Sequence, residues 1–396
     1  MKPLIRVPAG DVPRLVAQLR EAVLLDGLAV LPIHGEVEPT DPIETLVDDE
    51  VAVVVETSGS TDRPKRVALS GAALRASAGA TSAWFGGVHG QWLLALPGTY
   101  IAGIQVLVRS LVAGTEPAVM PAGGFTPEAF VAAARTLDPD RPWFTSLVPV
   151  QLARLVEAAD ADRSVRAALG SFEAILLGGQ AAPTGLVERS AALGACVHRT
   201  YGASETAGGC VYDGTPLPGV DVRIVDGEVQ LAGRMLAEGY LDDPERTARA
   251  FALDADGRRW YRTGDLGSIR DDGRLRITGR ADDVMNSGGV KVVLGEVERA
   301  VHGVDGFADA VVVAVPDAEW GERAAVVGAG AGAPAPGALD ALRAATDAAG
   351  LPPAGRPVRV VVVDELPRLA SGKPDRVAAS ALARAAVGGA AGGAGA

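Results

Sequence analysis

The chain has 396 residues, of which 48% are hydrophobic and 22% charged, the balance of a soluble globular protein with room for two or more domains and a large core. A formal net charge of −12 argues against nonspecific nucleic-acid binding, though it leaves room for a local basic pocket that takes a nucleotide. Two cysteines, Cys196 and Cys210, cannot make a disulfide framework or a zinc cluster, and no apolar run nears the roughly 20 residues of a membrane span.

Residues 1–30 lack a basic-then-apolar leader with a cleavage site, so the expected setting is a reducing cytoplasm without membrane insertion. Residues 12–25 have the period of an amphipathic helix, and 28–33 form a short apolar stretch. The β-branched run 51–55 reads as a buried strand, and the Ala-rich segment 71–83 has helix-forming composition. Between them lies ETSGSTDRPKRVALS, residues 56–70. Its small residues Thr57, Ser58, Gly59, Ser60 and Thr61 free backbone N–H groups to face an anion, and Lys65 adds a positive charge. A plain surface loop has the same composition. A Walker A loop does not fit, because Lys65 is followed by Arg66.

Residues 91–97 (QWLLALP) read as a strand running into a helix at 100–111 that is entered through Gly103. Strand and helix signals then alternate at 127–137, 143–148, 149–159, 174–177, 183–192 and 195–200. That alternation predicts βαβ units, an α/β domain with mainly parallel sheets flanked by helices. After about residue 214, short alternating stretches such as 220–225 and 228–232 predict a small antiparallel β subdomain. From Gly279 onward a compact α+β pattern follows, with helices at 296–301 and 339–349 and strands at 310–315 and 358–363. Residues 329–337 read as a surface loop, and 387–396 have nothing to bury, which predicts a disordered tail. The expected division is 1–281 as a large domain, with the β subdomain at about 215–281, then 282–385 as a small domain and 386–396 as tail.

Four further stretches carry candidate chemistry. In AILLGGQAAP an apolar strand ends at Gly178 and Gly179, whose backbone can lie against a flat base with Gln180 beside it. In TYGASET, Tyr201 can stack on a purine, Gly202 allows close approach, and Glu205 offers an oxygen ligand for Mg²⁺. In WYRTGDL and the following GRADD, Asp265 can accept from ribose hydroxyls and Arg280 can reach phosphate or ribose. In LPRLASGKPDR, an exposed turn presents Lys373. Each alone has an ordinary structural explanation.

Taken together and in this order, from residue 56 to residue 376, the motifs T-S-G-S-T-x-x-P-K, L-L-G-G-Q, Y-G-A-S-E, Y-R-T-G-D and S-G-K resemble those of the acyl-adenylate-forming family. Members join a carboxylate to the α-phosphate of ATP and then transfer the acyl group to a thiol, usually that of coenzyme A. The resemblance implies an ATP site built from Thr57, Ser58, Gly59, Ser60, Thr61, Lys65, Gly178, Gly179, Gln180, Tyr201, Gly202, Asp265 and Arg280. It implies catalytic roles for Lys65, Glu205, Arg280 and Lys373, with Mg²⁺ on Glu205. Asp282 matches the hinge of a rotating C-terminal domain, and Gly288 and Gly289 the segment facing coenzyme A. Within the family, the stretches around QWLLALP, TSLVPVQLARL and YGASETAGGCVYDG most resemble the o-succinylbenzoate–CoA ligases of menaquinone biosynthesis. The implied acyl pocket draws on Tyr100, Ser204, Gly208 and Gly209.

Two departures stand out. Asp62 occupies a phosphate-loop position where the family usually has glycine, and Gly98-Thr99-Tyr100 replaces a segment that commonly carries histidine. The second change removes a donor suited to an anionic carboxylate. Other readings are a different aryl- or acyl-CoA ligase, an adenylation enzyme loading a carrier protein, or a nucleotide-binding relative impaired in catalysis. The expected partners are small molecules, and a homo-oligomer is left open.

Overall fold

The computed structural model describes residues 1–36, 45–57, 64–330, 332, 334–369 and 373–391. The chain divides into two compact units: Met1–Val225, Gln230–Thr263 and Ile269–Leu275 form one, and Asp226–Val229, Gly264–Ser268 and Arg276–Ala396 the other.

Among its described residues, the first unit holds two large sheets. The seven-stranded one runs Thr215–Pro216, Gly208–Tyr212, Val197–Ala203, Phe172–Leu177, Trp143–Leu147, Gln91–Leu94, Ala118–Val119. Its centre is parallel, as the βαβ pattern predicts, and it ends in an antiparallel pair where Val197–Ala203 turns back into Gly208–Tyr212. Helices cover it because their apolar positions recur on one face. In Pro149–Ala159, Leu152, Leu155, Val156 and Ala159 are buried against Phe130, Ile175 and Leu177.

The six-stranded sheet runs Gly239–Tyr240, Lys65–Ser70, Val51–Thr57, Ala29–Ile33, Lys2–Pro8, Leu46–Val47. Here the structure corrects an expectation. Residues 56–70 are not one loop between strand and helix, because Lys65–Ser70 is itself a strand, antiparallel to Val51–Thr57. Val55 opposite Val67 and Val53 opposite Leu69 bury apolar pairs across the hairpin, which outweighs the turn character of the segment. Ser70 then caps the helix Gly71–Trp84, its hydroxyl accepting from the Ala73 amide at 3.1 Å.

In the second unit, the strands Val311–Asp317 and Gly321–Ala329 pair antiparallel, with Arg359–Val363 parallel to the latter. Period-two alternation buries both faces. Val312 and Val326 meet Leu294, Val297 and Leu342, whereas Val311, Val313 and Val327 meet Ala379 and Ala383 of the helix Arg376–Ala391. That helix also corrects the expected tail. With Ala379 and Ala383 anchored one turn apart, alanine-rich sequence propagates the helix to Ala391, past the predicted start of disorder. Residues 392–396 lie outside the described residues.

Candidate active site

In the first unit the candidate residues gather at the carboxyl ends of the parallel strands, where open α/β sheets place their ligands. The phosphate-loop arms are fixed by register, with Thr57 opposite Lys65 and Glu56 opposite Arg66. Arg66 Nε donates to Glu56 Oε1 at 2.9 Å, which leaves half-buried Lys65 as the free cation at the neck of the hairpin among the described residues. Ser58, Gly59, Ser60, Thr61 and the departing Asp62 lie outside those residues.

Gly178 and Gly179 follow the strand Phe172–Leu177 for steric reasons. A Cβ on Gly178 would stand 2.5 Å from Thr200 Oγ1, and Gly179 has φ +85°. The next strand carries Tyr201 and Gly202, where the ladder slips register between them. A Cβ on Gly202 would meet the Gly208 carbonyl oxygen at 2.2 Å, so only glycine lets the two backbones close.

Ser204, Glu205 and Thr206 then form a single buried 3₁₀ turn. Thr206 Oγ1 accepts from the Ala203 amide at 2.8 Å and donates to the Gly208 carbonyl at 2.7 Å, fixing the turn from within. The buried Glu205 accepts a 2.7 Å hydrogen bond on Oε1 from Tyr240. Tyr240 sits in the strand Gly239–Tyr240, which pairs with Val67 and Ala68 of the phosphate-loop hairpin. One arm of the candidate anion loop and the candidate metal carboxylate are thus tied through two hydrogen-bonded strands. Burial, then the Glu205 carboxylate, drive the Tyr240 phenol far above its ordinary value and keep it a donor. Sequence reasoning missed Tyr240, since nothing local marks it. Only the long-range strand pairing does.

On the candidate acyl side, Tyr100 occupies the N-cap position of the helix Ile101–Ala113, with no side-chain capping hydrogen bond among the described residues. Ile101, Gln105 and Arg109 follow one face at intervals of four. A Cβ on Gly208 (φ +98°) would lie 3.3 Å from Gln105 and 3.8 Å from Ile101, so helix and strand meet closely there. One turn further, Arg109 is buried, its Nη2 donating weakly to the Tyr212 hydroxyl at 3.4 Å and its guanidinium over the Trp92 ring at 4.8 Å. Its Nε has no hydrogen-bond partner among the described residues, and burial lowers its affinity for a proton. Arg109 also lines a cavity with Thr81, Phe85, Trp92 and Phe144. Sequence reasoning passed over it, although a single charge in the apolar segment IAGIQVLVRSLVA was the available signal. The structure further brings His34 to the segment judged to lack a histidine: its Nε2 lies 3.0 Å from Thr99 Oγ1.

The second unit carries the remaining candidates. Arg280 donates to Asp265 at 3.1 Å and grips Asp282 through Nε and Nη2 at 3.1 and 3.3 Å. The Asp282 hydrogen bonds, with Asp265 adding to them, hold the guanidinium charged. Asp265, expected on ribose, and Asp282, expected as hinge, are thus both bound by one side chain. Gly264 (φ +68°) leaves room for that guanidinium, since its Cβ would stand 3.2 Å from Arg280 Nη2. Gly288 and Gly289, φ +59° and +84°, form the two-residue turn between Val284–Ser287 and Val290–Val293. Lys373 is exposed, and its carbonyl accepts from the Leu369 amide at 2.8 Å.

A parallel-stranded α/β unit with a glycine-lined strand end, a buried carboxylate and a hairpin cation is joined in sequence to a small α+β unit bearing Lys373. The chain belongs to the AMP-binding enzyme family: it matches that family over residues 9–241 and the AMP-binding enzyme C-terminal domain over residues 296–373. It is 38% identical, over 94% of its length and 96% of the relative's, to a probable 2-succinylbenzoate–CoA ligase of Mycobacterium tuberculosis. Among solved structures it is similar to the o-succinylbenzoate CoA synthetase MenE of Bacillus subtilis in complex with the acyl-adenylate intermediate OSB-AMP. That likeness has a TM-score of 0.70 and 26% identity, covering 83% of this chain and 68% of the other. It is also similar to the amide bond synthetase McbA of Marinactinospora thermotolerans, with a TM-score of 0.73 and 26% identity over 95% of this chain and 79% of that one.

Proposed function

We propose that this protein is an AMP-forming acid–thiol ligase that activates o-succinylbenzoate with ATP and transfers it to coenzyme A, a step of menaquinone biosynthesis. The relatives' names support the reaction class and the acid. Arg109 is a physical candidate for holding a second carboxylate, in the cavity it lines with Trp92 and Phe144. A buried cation without a counter-ion is costly, and a ligand that brings an anion offsets that cost.

In the first half-reaction a carboxylate oxygen attacks the α-phosphorus, the P–O bond to pyrophosphate breaks, and an acyl-adenylate forms. An anion approaches a polyanion, so fixed positive charge near the phosphates is the largest catalytic need. Lys65 at the hairpin neck and Lys373 on the second unit serve that need. Glu205 fits a Mg²⁺ ligand, because Tyr240 engages Oε1 while Oε2 has no hydrogen-bond or ion-pair partner among the described residues. Bound Mg²⁺ would neutralise phosphate charge there, consistent with its habit of taking one or two carboxylates plus phosphate oxygens. Tyr201, Gly178, Gly179, Gln180 and Gly202 suit the adenine end, and Asp265 with Arg280 the ribose. In the second half-reaction the thiol sulfur attacks the acyl carbon, the C–O bond to AMP breaks, and the thiol proton is lost to solvent.

The proposal includes a division at Asp282, with 282–385 rotating between half-reactions to exchange Lys373 for the Gly288–Gly289 turn. It also places the enzyme in the cytoplasm. Both cysteines are free, and no helix among the described residues is long and apolar enough to cross a membrane.

The test is pyrophosphate release with ATP, Mg²⁺ and either o-succinylbenzoate or a panel of benzoates and fatty acids. Release with o-succinylbenzoate that is lost in Lys373→Ala supports the proposal. Release only with another acid removes the substrate assignment and keeps the chemistry.

A further inference from the structure

The acyl end of the site contains a group that the sequence motifs do not include. His34 follows the strand Ala29–Ile33, while Thr99 and Tyr100 follow the strand Gln91–Leu94 of the other sheet. All three stand at the carboxyl ends of parallel strands. The turn that holds them is closely packed. A Cβ on Gly98 would lie 2.7 Å from Leu15, and one on Gly103 would lie 2.2 Å from the Pro97 carbonyl oxygen. The Tyr100 amide donates to that same oxygen at 3.2 Å. Against this fixed turn the imidazole makes two contacts: Nε2 to the Thr99 hydroxyl at 3.0 Å, and a ring edge on Tyr100 with centroids 5.9 Å apart at 62°.

Thr99 is buried, and among the described residues its hydroxyl has no other hydrogen bond, nor has His34 Nδ1. A buried hydroxyl that donates to Nε2 requires a neutral ring protonated at Nδ1. We infer that His34 is a substrate-binding residue: Thr99 fixes its tautomer, and its Nδ1–H donates to the carboxylate of the incoming acid beside Tyr100. Ile101, the next residue, reaches within 3.8 Å of the Cβ position of Gly208, which puts this turn beside the end that the proposed acyl site assigns to the reacting carboxylate. His34 is exposed, so its Nδ1 is open to an incoming anion. The donor missing from residues 98–100 is supplied by a residue more than sixty positions upstream. This inference rests on the proposed acyl site.

His34→Phe keeps the ring against Tyr100 and removes the donor, while His34→Gln retains an N–H. The acid KM is expected to rise about tenfold in His34→Phe and to recover within threefold in His34→Gln, with the ATP KM within twofold in both. Thr99→Val raises the acid KM similarly, and the double variant Thr99→Val/His34→Phe is no worse than either single one. An acid KM within twofold of wild type in His34→Phe, or acid and ATP KM rising together, overturns the inference. Nitrogen-15 NMR of the imidazole is read separately from turnover. The Nδ1–H form in wild type and its loss in Thr99→Val are expected, and an Nε2–H form in wild type overturns the inference. A wild type that activates another acid removes only the o-succinylbenzoate assignment, and the same variants are then compared with that acid. A wild type that activates none removes the proposed function, and the NMR result alone then decides whether Thr99 sets the tautomer.

Discussion

The Tyr240 hydroxyl donates to the Glu205 carboxylate across 2.7 Å inside the first unit, joining residues 35 positions apart in the chain. Tyr240→Phe leaves one carboxylate oxygen in a buried site without its donor. Folding stability is expected to fall by about 1–3 kcal/mol, the usual cost of stranding such a group. The loosened carboxylate is also expected to raise the Mg²⁺ concentration for half-maximal pyrophosphate release several-fold. Urea denaturation and a Mg²⁺ titration measure the two effects.

Arg109→Met is expected to act in opposite directions on stability and function. Removing a buried guanidinium whose Nε lacks a partner among the described residues, in favour of an apolar side chain of similar length, is neutral or stabilising, up to about 4 kcal/mol. The same change is expected to raise the KM for o-succinylbenzoate at least tenfold and leave that for benzoate within twofold. Equal losses for both acids would remove Arg109 from the recognition of a second carboxylate.

The candidate site is legible in the sequence where its motifs are local, as around Gly178, Tyr201–Glu205 and Lys373, each within a few residues. The parallel core is legible for a similar reason, since the strand and helix periods alternate cleanly. The contributions that escape are long-range. Tyr240, Arg109 and His34 each act on a residue tens of positions away, and strand pairing or helix packing alone brings them there. The hairpin at 51–70 is obscured by a different cause: serine, glycine and proline in its tip outweigh the short apolar return strand in any local window.

Gly288→Ala is expected to destabilise the second unit on two counts. Its φ of +59° disfavours a side chain, and the added Cβ would stand 2.5 Å from the Trp320 ring. A loss of about 1–3 kcal/mol is expected in the transition of this unit, measured by differential scanning calorimetry. Gly289→Ala, with a similar φ of +84° but no atom within 4 Å, is expected to cost less. Equal losses would mean that backbone strain alone sets the requirement.

Asp213 predicts an acid limb of stability. Burial by itself would raise its carboxyl, but the hydrogen bond from His198 at 2.8 Å, that from the Arg199 amide at 3.0 Å and the charges of both neighbours bring it below the ordinary value. Because the folded value is the lower one, this contribution is present above the unfolded carboxyl value of about 3.9 and lost as pH falls through the folded value. Asp213→Asn is expected to flatten the dependence of stability on pH below about 4, read by denaturation at a series of pH values. An unchanged slope would assign the acid limb to other carboxylates.

Because Thr57 and Lys65 are cross-strand partners, the hairpin measures position from its stem. A residue added between them only lengthens the tip, and even doubling a loop adds about 0.6 kcal/mol of closure entropy. A residue added among 66–69 would instead move part of the strand's side chains to the opposite face, and both faces are packed there, since Val67, Ala68, Leu69 and Ser70 are all buried. Lys65 is therefore addressed by counting back from Leu69, not forward from the glycine of the tip. The candidate anion loop can thus differ in length while Lys65 keeps its place opposite Thr57.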